Sequence, residues 1–285
     1  MTETSVDLDH LRAWIGRTET RNDLVTAVPM AALSATLDRN DPEPVDGTAI
    51  FPLWHWLYFL PISPLSEAGP DGHARRGDFL PPVPLPRRMF AGGRFEFRHS
   101  LRIGDEITRT SRITDVSGKQ GRSGTLVFVT VRHEIANATG VALTEEHDIV
   151  YRENQRADAP APKPQAARMD EAFSREIAPD PVLLFRYSAL TFNSHRIHYD
   201  RSYVTGIEGY PGLIVHGPLI ATLLVDLLRR SLPDAKVSRF SFRAVRPLFD
   251  IHRFTVCGRA EGKRVALWAR DNEGCLTMDA SAELA

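Results

Sequence analysis

The chain predicts an α+β fold in which one plan, a helix followed by antiparallel strands, is used twice. Three observations carry this. Arg94-Phe95-Glu96-Phe97-Arg98-His99 alternates apolar and polar residues at period two, and further β-rich segments follow it. The most apolar helix, Pro218 to Ser231, stands directly before a second set of alternating segments. Between the two sets lies Asn154–Ala167 (NQRADAPAPKPQAA), an Ala/Pro-rich run without period that reads as a linker. The expected division is therefore an N-terminal domain over 1–153, a linker over 154–167 and a C-terminal domain over 168–285. The halves match too weakly to be read as a repeat residue by residue; the order of elements carries the inference.

In order, Asp7 to Ile15 predicts a short helix with Asp7 or Asp9 near its N-cap and Gly16 to stop it. Ala31 to Leu37 predicts a small-residue helix, closed by the turn-rich Asp38-Arg39-Asn40-Asp41-Pro42. Phe51 to Leu60 is crowded with aromatics, which suits plain core or the wall of an apolar tunnel. Pro61 to Pro86 is rich in proline, which fixes φ and removes backbone donors, so an extended irregular loop is expected, either as linkage or as a substrate-binding segment. After the Arg94–His99 strand and a turn at Leu101–Asp105, strands are expected at Glu106–Val116, Leu126–Ala136 and Val141–Tyr151, with Gly118–Gly124 as a hairpin loop. In the second half the expected strands are Val237–Val245, Ile251–Glu261, Arg264–Arg270 and Cys275–Ser281.

Composition narrows the function. The chain has 285 residues, 42% hydrophobic and 25% charged, which suits a globular protein with a full core. Its formal net charge of -1 offers no general attraction to nucleic acid or to anionic membrane. Cys257 and Cys275 are too sparse for a disulfide framework and make no CxxC metal pattern. The start MTETSVDLDH is not a signal peptide, and no apolar run approaches the ~20 residues of a bilayer span, so a reduced, cytoplasmic protein is expected.

The chemistry-bearing stretch is Tyr187–Gly217, YSALTFNSHRIHYDRSYVTGIEGYPGLIVHG. It sets Asn193, His195, His198 and Asp200 at close spacing on a loop, then runs through Leu213-Ile214-Val215 to His216-Gly217 at the mouth of the buried helix. An imidazole can move protons, and free N–H groups at a helix start can hold a developing oxyanion, so this pattern suits work on a carbonyl compound. His216 caps the helix or lines the site, Asp200 caps a turn or orients a loop histidine, and Gly217 serves either tight packing or close approach of a ligand. His195, His198 and His216 lack a carboxylate or cysteine partner at metal-ligand spacing, so no metal is expected.

The string Tyr187 to Asp200, with Gly212 to Gly217, resembles the signature of MaoC-like, R-specific enoyl-CoA hydratases. Phe51–Leu60, Met89–Gly93 and Lys119–Glu134 resemble the branch of mesaconyl-CoA and itaconyl-CoA hydratases and 3-hydroxyacyl-thioester dehydratases. The resemblance implies a double hot dog, two long helices each wrapped by an antiparallel β-sheet, with the C-terminal half catalytic and the N-terminal half shaping the acyl pocket. It implies a hydro-lyase acting on a short, branched or dicarboxylic enoyl-CoA thioester of mesaconyl-CoA, itaconyl-CoA or citramalyl-CoA type. A general 3-hydroxyacyl-thioester dehydratase, a hot-dog thioesterase and a non-catalytic acyl-CoA binding subunit are the alternatives. The implied roles are His198 as general base and acid, Asn193 as an orienting amide and the Gly217 N–H as oxyanion donor. His216, Tyr187, Arg94 and Arg122 are expected to bind substrate, with Arg88, Arg243 and Arg246 as further cations for its phosphates or an acyl carboxylate. No cofactor beyond the coenzyme A of the substrate is implied, nor any nucleic-acid or membrane partner, and a monomer or a homodimer of double hot dogs is expected. The chain departs from the family pattern at three places: Asn193 where an aspartate is usual, His195 where an asparagine is usual, and Arg196 where a proline is usual.

Overall fold

Strand β2 (Arg87–Phe97) from the first half lies antiparallel beside strand β7 (Val237–Ala244) from the second, Gly92 to Glu96 facing Arg243 to Arg239. Gly92 allows the approach: a Cβ there would stand 2.5 Å from the carbonyl oxygen of Phe242. This pairing merges the two sets of strands into one ten-stranded sheet in the computed structural model, which describes residues 6–73, 79–121, 124–153 and 163–285. The first half adds β1 (Thr18–Leu24), β3 (Glu106–Gly121), β4 (Gly124–Asn137) and β5 (Gly140–Arg152). The second adds β6 (Phe173–Ile177), β8 (Phe254–Glu261), β9 (Arg264–Arg270) and β10 (Leu276–Leu284). The order β1-β3-β4-β5-β2-β7-β10-β9-β8-β6 reads the same from both edges once each half's strands are ranked first to fifth. Each half thus uses one topology, as the order of elements predicts.

Five α-helices accompany the sheet among the described residues: α1 (Leu8–Arg12), α2 (Ala27–Thr36), α3 (Pro181–Leu190), α4 (Arg201–Gly206) and α5 (Gly217–Ser231). In α5 every residue from Leu219 to Leu228 is buried, as befits a helix surrounded on all sides. Its two polar members are satisfied: Thr222 donates to the Pro218 carbonyl, and Asp226 accepts from Arg39, Arg175 and Arg230. One hydrophobic cluster runs from α2 through α5 to Phe240, Phe242, Phe254 and Val256 of the sheet, so the core is shared by both halves.

The helix of the first half is the shorter of the two: α2 has 10 residues against 15 in α5. It stops at Leu37 because Asp38 turns left-handed at φ 52°. The 3-10 turn Trp54–Leu57 covers the sheet beyond it, with Trp56 against Phe90, Phe95 and Phe242. The aromatic segment is therefore core, one of its two expected readings. Strands β1 and β6 are absent from the expectations because both are polar edge strands with little apolar alternation. β2 begins at Arg87 rather than Arg94, and β3 and β4 run through most of the expected glycine-rich loop, pairing as far as Gly121 and Gly124. Gln165 to Ala167, placed in the linker by composition, instead pairs with Gly274 to Leu276. Both cysteines are free. No helix among the described residues is long and apolar enough to cross a membrane.

Candidate active site

The loop after α3 is built by local hydrogen bonds. Asp180 caps α3 by accepting the Leu183 N–H, with Pro181 in the first turn where no donor is needed. Past Leu190 the chain turns left-handed at Phe192 (φ 48°), and the Asn193 N–H reaches back to the Ser188 carbonyl. The Asn193 side-chain oxygen then accepts the His195 N–H at 3.1 Å, an Asx turn that sets the direction of the loop. A 3-10 turn carries Arg196–His198, and Asp200 caps α4 while pairing with Arg196. The returning segment closes the ring: Ile214 N–H donates to Ile197 O at 2.9 Å and Val215 N–H to Leu248 O at 2.9 Å.

These bonds bring His198 and the start of α5 together. The His198 and His216 rings stack with centroids 3.7 Å apart and planes at 17°. His198 Nδ1 lies 2.7 Å from the Ile214 carbonyl oxygen, which can only accept, so Nδ1 carries the proton and Nε2 is left as the basic nitrogen. Burial pushes the His198 imidazole down to about 4 and His216 well below its ordinary value, so both are neutral at pH 7. His216 Nε2 sits 2.8 Å from Ser188 Oγ, while its buried Nδ1 has no hydrogen-bond partner among the described residues. Gly217 follows as the first residue of α5, and a Cβ there would meet nothing within 4 Å. The Cβ side of this first helical residue is therefore open, directly after the stacked His216.

The proline-rich loop reaches the same place from the first half. Arg196 N–H donates to Asp71 O at 2.8 Å, Arg196 Nη1 to Pro70 O at 3.0 Å and Ser194 Oγ to Gly72 O at 2.5 Å. Gly72 has φ +89°, and a Cβ on it would stand 2.0 Å from Ser194 O, so only glycine fits. Asp71 takes both the backbone N–H and ring Nδ1 of His73 at 3.1 Å, and the His73 ring lies 4.0 Å from that of His195. His195 in turn meets His198 edge to face at 5.5 Å. Four imidazoles thus line up from the half-buried His73 to the fully buried His216. Donor atoms of Asp71, His73 and His195 fall within 4.8 Å of one another, a proximity that the Asp71–His73 hydrogen bond accounts for. Asp71, Gly72 and His73 were not among the expected site residues; the Asp-Gly-His string inside a proline-rich loop is the signal that marks them.

The structure brings His198, His216 and Gly217 together, while the Asn193 side chain turns to the His195 N–H on the same loop. Tyr187 is buried behind them, with its ring 5.1 Å from that of His216. Arg94 is not brought to the site: it forks onto Glu146 and Asp148 on the opposite face of β2 from the buried Phe95, where neighbouring strands offer both carboxylates. Arg243 sits beside Asp279 on that outer face, and Arg246 pairs with Asp271. Arg122 lies outside the described residues.

The family model for hydroxyacyl-thioester dehydratase type 2 matches residues 53–250. The chain is 48% identical to mesaconyl-C(4)-CoA hydratase of Chloroflexus aurantiacus over 95% of its length and 97% of that protein's. It is 28% identical to the mitochondrial hydroxyacyl-thioester dehydratase type 2 of Schizosaccharomyces pombe, over 82% of this chain and 88% of that one. Among solved structures, a MaoC-like dehydratase from Phytophthora capsici superposes with TM-score 0.70 at 16% identity, covering 98% of this chain and 99% of that chain. A double-hotdog protein of Mycobacterium tuberculosis does so with TM-score 0.57 at 12% identity, over 95% and 96% of the two chains. The fold is the double hot dog, and the chain belongs to the hydroxyacyl-thioester dehydratase type 2 family.

Proposed function

We propose that the chain is a hydro-lyase that adds water across the double bond of mesaconyl-C(4)-CoA, giving the citramalyl thioester. The identity of 48% to a hydratase of that substrate supports the substrate class. The observation that carries the chemistry is the contact between His198, whose basic Nε2 is left available, and His216 at the start of α5.

The reaction needs a base for water, a holder for enolate charge and a proton for the α-carbon. His198 Nε2 takes a proton from water as the oxygen bonds to the β-carbon. The π electrons move toward the thioester carbonyl, whose oxygen is received by the Gly217 N–H at the positive end of α5; a donor of this kind is worth about 3–4 kcal/mol. The imidazolium then returns its proton to the α-carbon, which restores His198 and balances the addition. Asn193 cannot take a proton; its amide holds the loop through the His195 N–H. Run backwards, the same groups dehydrate a 3-hydroxyacyl thioester, the activity named for the matching family. The N-terminal half reaches the same loop through Pro70, Asp71 and Gly72, which accept hydrogen bonds from Arg196 and Ser194.

The test is a panel of mesaconyl-C(4)-CoA, crotonyl-CoA and their hydrated products, followed by enoyl absorbance. Fast hydration of the mesaconyl thioester is expected. Hydrolysis to free coenzyme A without hydration, or binding with no turnover, would replace this reading with a thioesterase or a binding subunit.

A further inference from the structure

A second cavity lies in the first half of the chain. Among the described residues, none from the 187–217 stretch borders it, nor any from the 70–73 segment that clasps the catalytic loop. Its volume is about 130 Å³, close to the ~150 Å³ of an engineered cavity that takes up one benzene. Trp56, Phe59, Leu60 and Ile135 form its apolar sides.

The polar groups on its wall can be accounted for one by one. Glu145, on β5, accepts from His55 Nε2 at 3.0 Å and from Trp56 Nε1 at 3.1 Å, so its carboxylate is covered. The Tyr58 hydroxyl donates to the Thr26 carbonyl at 2.8 Å. Arg109, on β3, differs from both. Its Nε is buried without a hydrogen-bond partner among the described residues, and its ion-pair partner there, Glu19, stands 4.0 Å from Nη2. The side chain as a whole is 20% exposed, so the guanidinium is reached from solvent.

Phe59 holds one wall against this group. Its backbone is left-handed at φ 56°, uncommon for an aromatic residue, and its N–H donates to Asp23 at 2.6 Å. The ring lies 5.1 Å from the Arg109 guanidinium. A residue kept in such a conformation is over-determined by its surroundings, and residues of this kind cluster at ligand clamps.

An unmade hydrogen bond at a buried donor is costly, and a guanidinium fits a carboxylate fork to fork. The apolar sides suit a hydrocarbon tail on that carboxylate. A second acidic group on the guest would meet the Glu145 charge at low dielectric, which selects against dicarboxylates. We propose that this cavity is a second ligand site, anchored by Arg109, for a short-chain aliphatic monocarboxylate. The site stands apart from the catalytic loop and does not depend on the hydratase reading.

The test titrates butyrate into the full chain and follows its proton NMR signals for saturation transfer, with butyramide as the uncharged control. Saturable butyrate binding is expected in wild type. Binding of butyramide, and of butyrate to Arg109→Met, should be weaker by about tenfold or more, the effect of losing a hydrogen bond between charged groups. Butyrate should stay bound when coenzyme A is added in excess. Displacement by coenzyme A would place the carboxylate in the catalytic cleft and overturn the separate site. Absence of saturable binding, or undiminished binding to Arg109→Met, would overturn it as well. Should Arg109→Met fail to fold, the wild-type comparison decides: equal binding of butyrate and butyramide rules out a charged anchor.

Discussion

His198 and His216 lie face to face, 3.7 Å apart at 17°, an arrangement two neutral imidazoles tolerate and two imidazolium ions would not. The stack fixes the plane of His198, and the Ile214 carbonyl fixes its tautomer. Replacing His198 with glutamine keeps a donor for Ile214 and removes the base. Hydration should fall by about 10²–10⁴ in kcat, with KM and the thermal midpoint little changed. Retention of wild-type kcat would remove His198 from the mechanism.

The sequence made the second half of this site legible, because the Tyr187–Gly217 string carries the loop, the histidine and the helix start in one continuous run. It did not disclose the first half's share. Asp71 and His73 lie more than a hundred positions from His195, and only the folded sheet brings them together through β2 and β7. Arg94 misled for a related reason: on an alternating strand, one residue's shift decides the face, and sequence alone does not say which face the site is on. The edge strands β1 and β6 stayed hidden because hydrogen bonding to a neighbour, not apolar patterning, defines them.

The depressed histidines set the pH behaviour. The folded state holds His198 at about 4 against an ordinary 6.5, and His195 and His216 shift the same way. Between those values the unfolded chain binds protons that the folded chain refuses. Stability is therefore full above pH 6.5 and lost as pH falls toward 4, on the order of 3 kcal/mol for His198 alone. His133 and His147 in the first half add in the same direction. The thermal midpoint should drop between pH 7 and pH 4.5, while the acid limb of kcat/KM, which reports the free enzyme's base, lies near pH 4. An acid limb near 6.5 would contradict a buried His198.

Asp226 ties the two halves together. Its side chain is 2% exposed and accepts from Arg39 at 2.8 Å, Arg175 at 3.2 Å and Arg230 at 2.7 Å. Alanine in its place would leave three guanidinium groups around an empty site in the core of α5. A cost of about 3–5 kcal/mol is expected in denaturant unfolding, with the activity of the folded fraction retained.

Gly72→Ala probes the clasp. The left-handed backbone and the 2.0 Å approach to Ser194 O both forbid a Cβ, so the 70–73 segment must lift from the catalytic loop. Because that segment is partly exposed, global unfolding should change little, whereas kcat/KM for hydration should fall as the loop that carries His195 and His198 loses these contacts. Unchanged kinetics on both thioesters would show that the clasp has no part in the site.

Gly217→Ala separates packing from catalysis at the helix start. Nothing in the protein comes within 4 Å of a Cβ built there, and its backbone is not left-handed. Alanine is the better helix former by roughly 1 kcal/mol in a helix interior, so the variant should be as stable as wild type or slightly more so. If the open space beside the amide receives the thioester carbonyl, the added methyl group intrudes on it. A stable protein with kcat/KM for hydration lowered tenfold or more is the expected result, since an oxyanion donor acts only over a hydrogen-bond distance. A variant that is both stable and fully active would place the oxyanion elsewhere than at the Gly217 N–H.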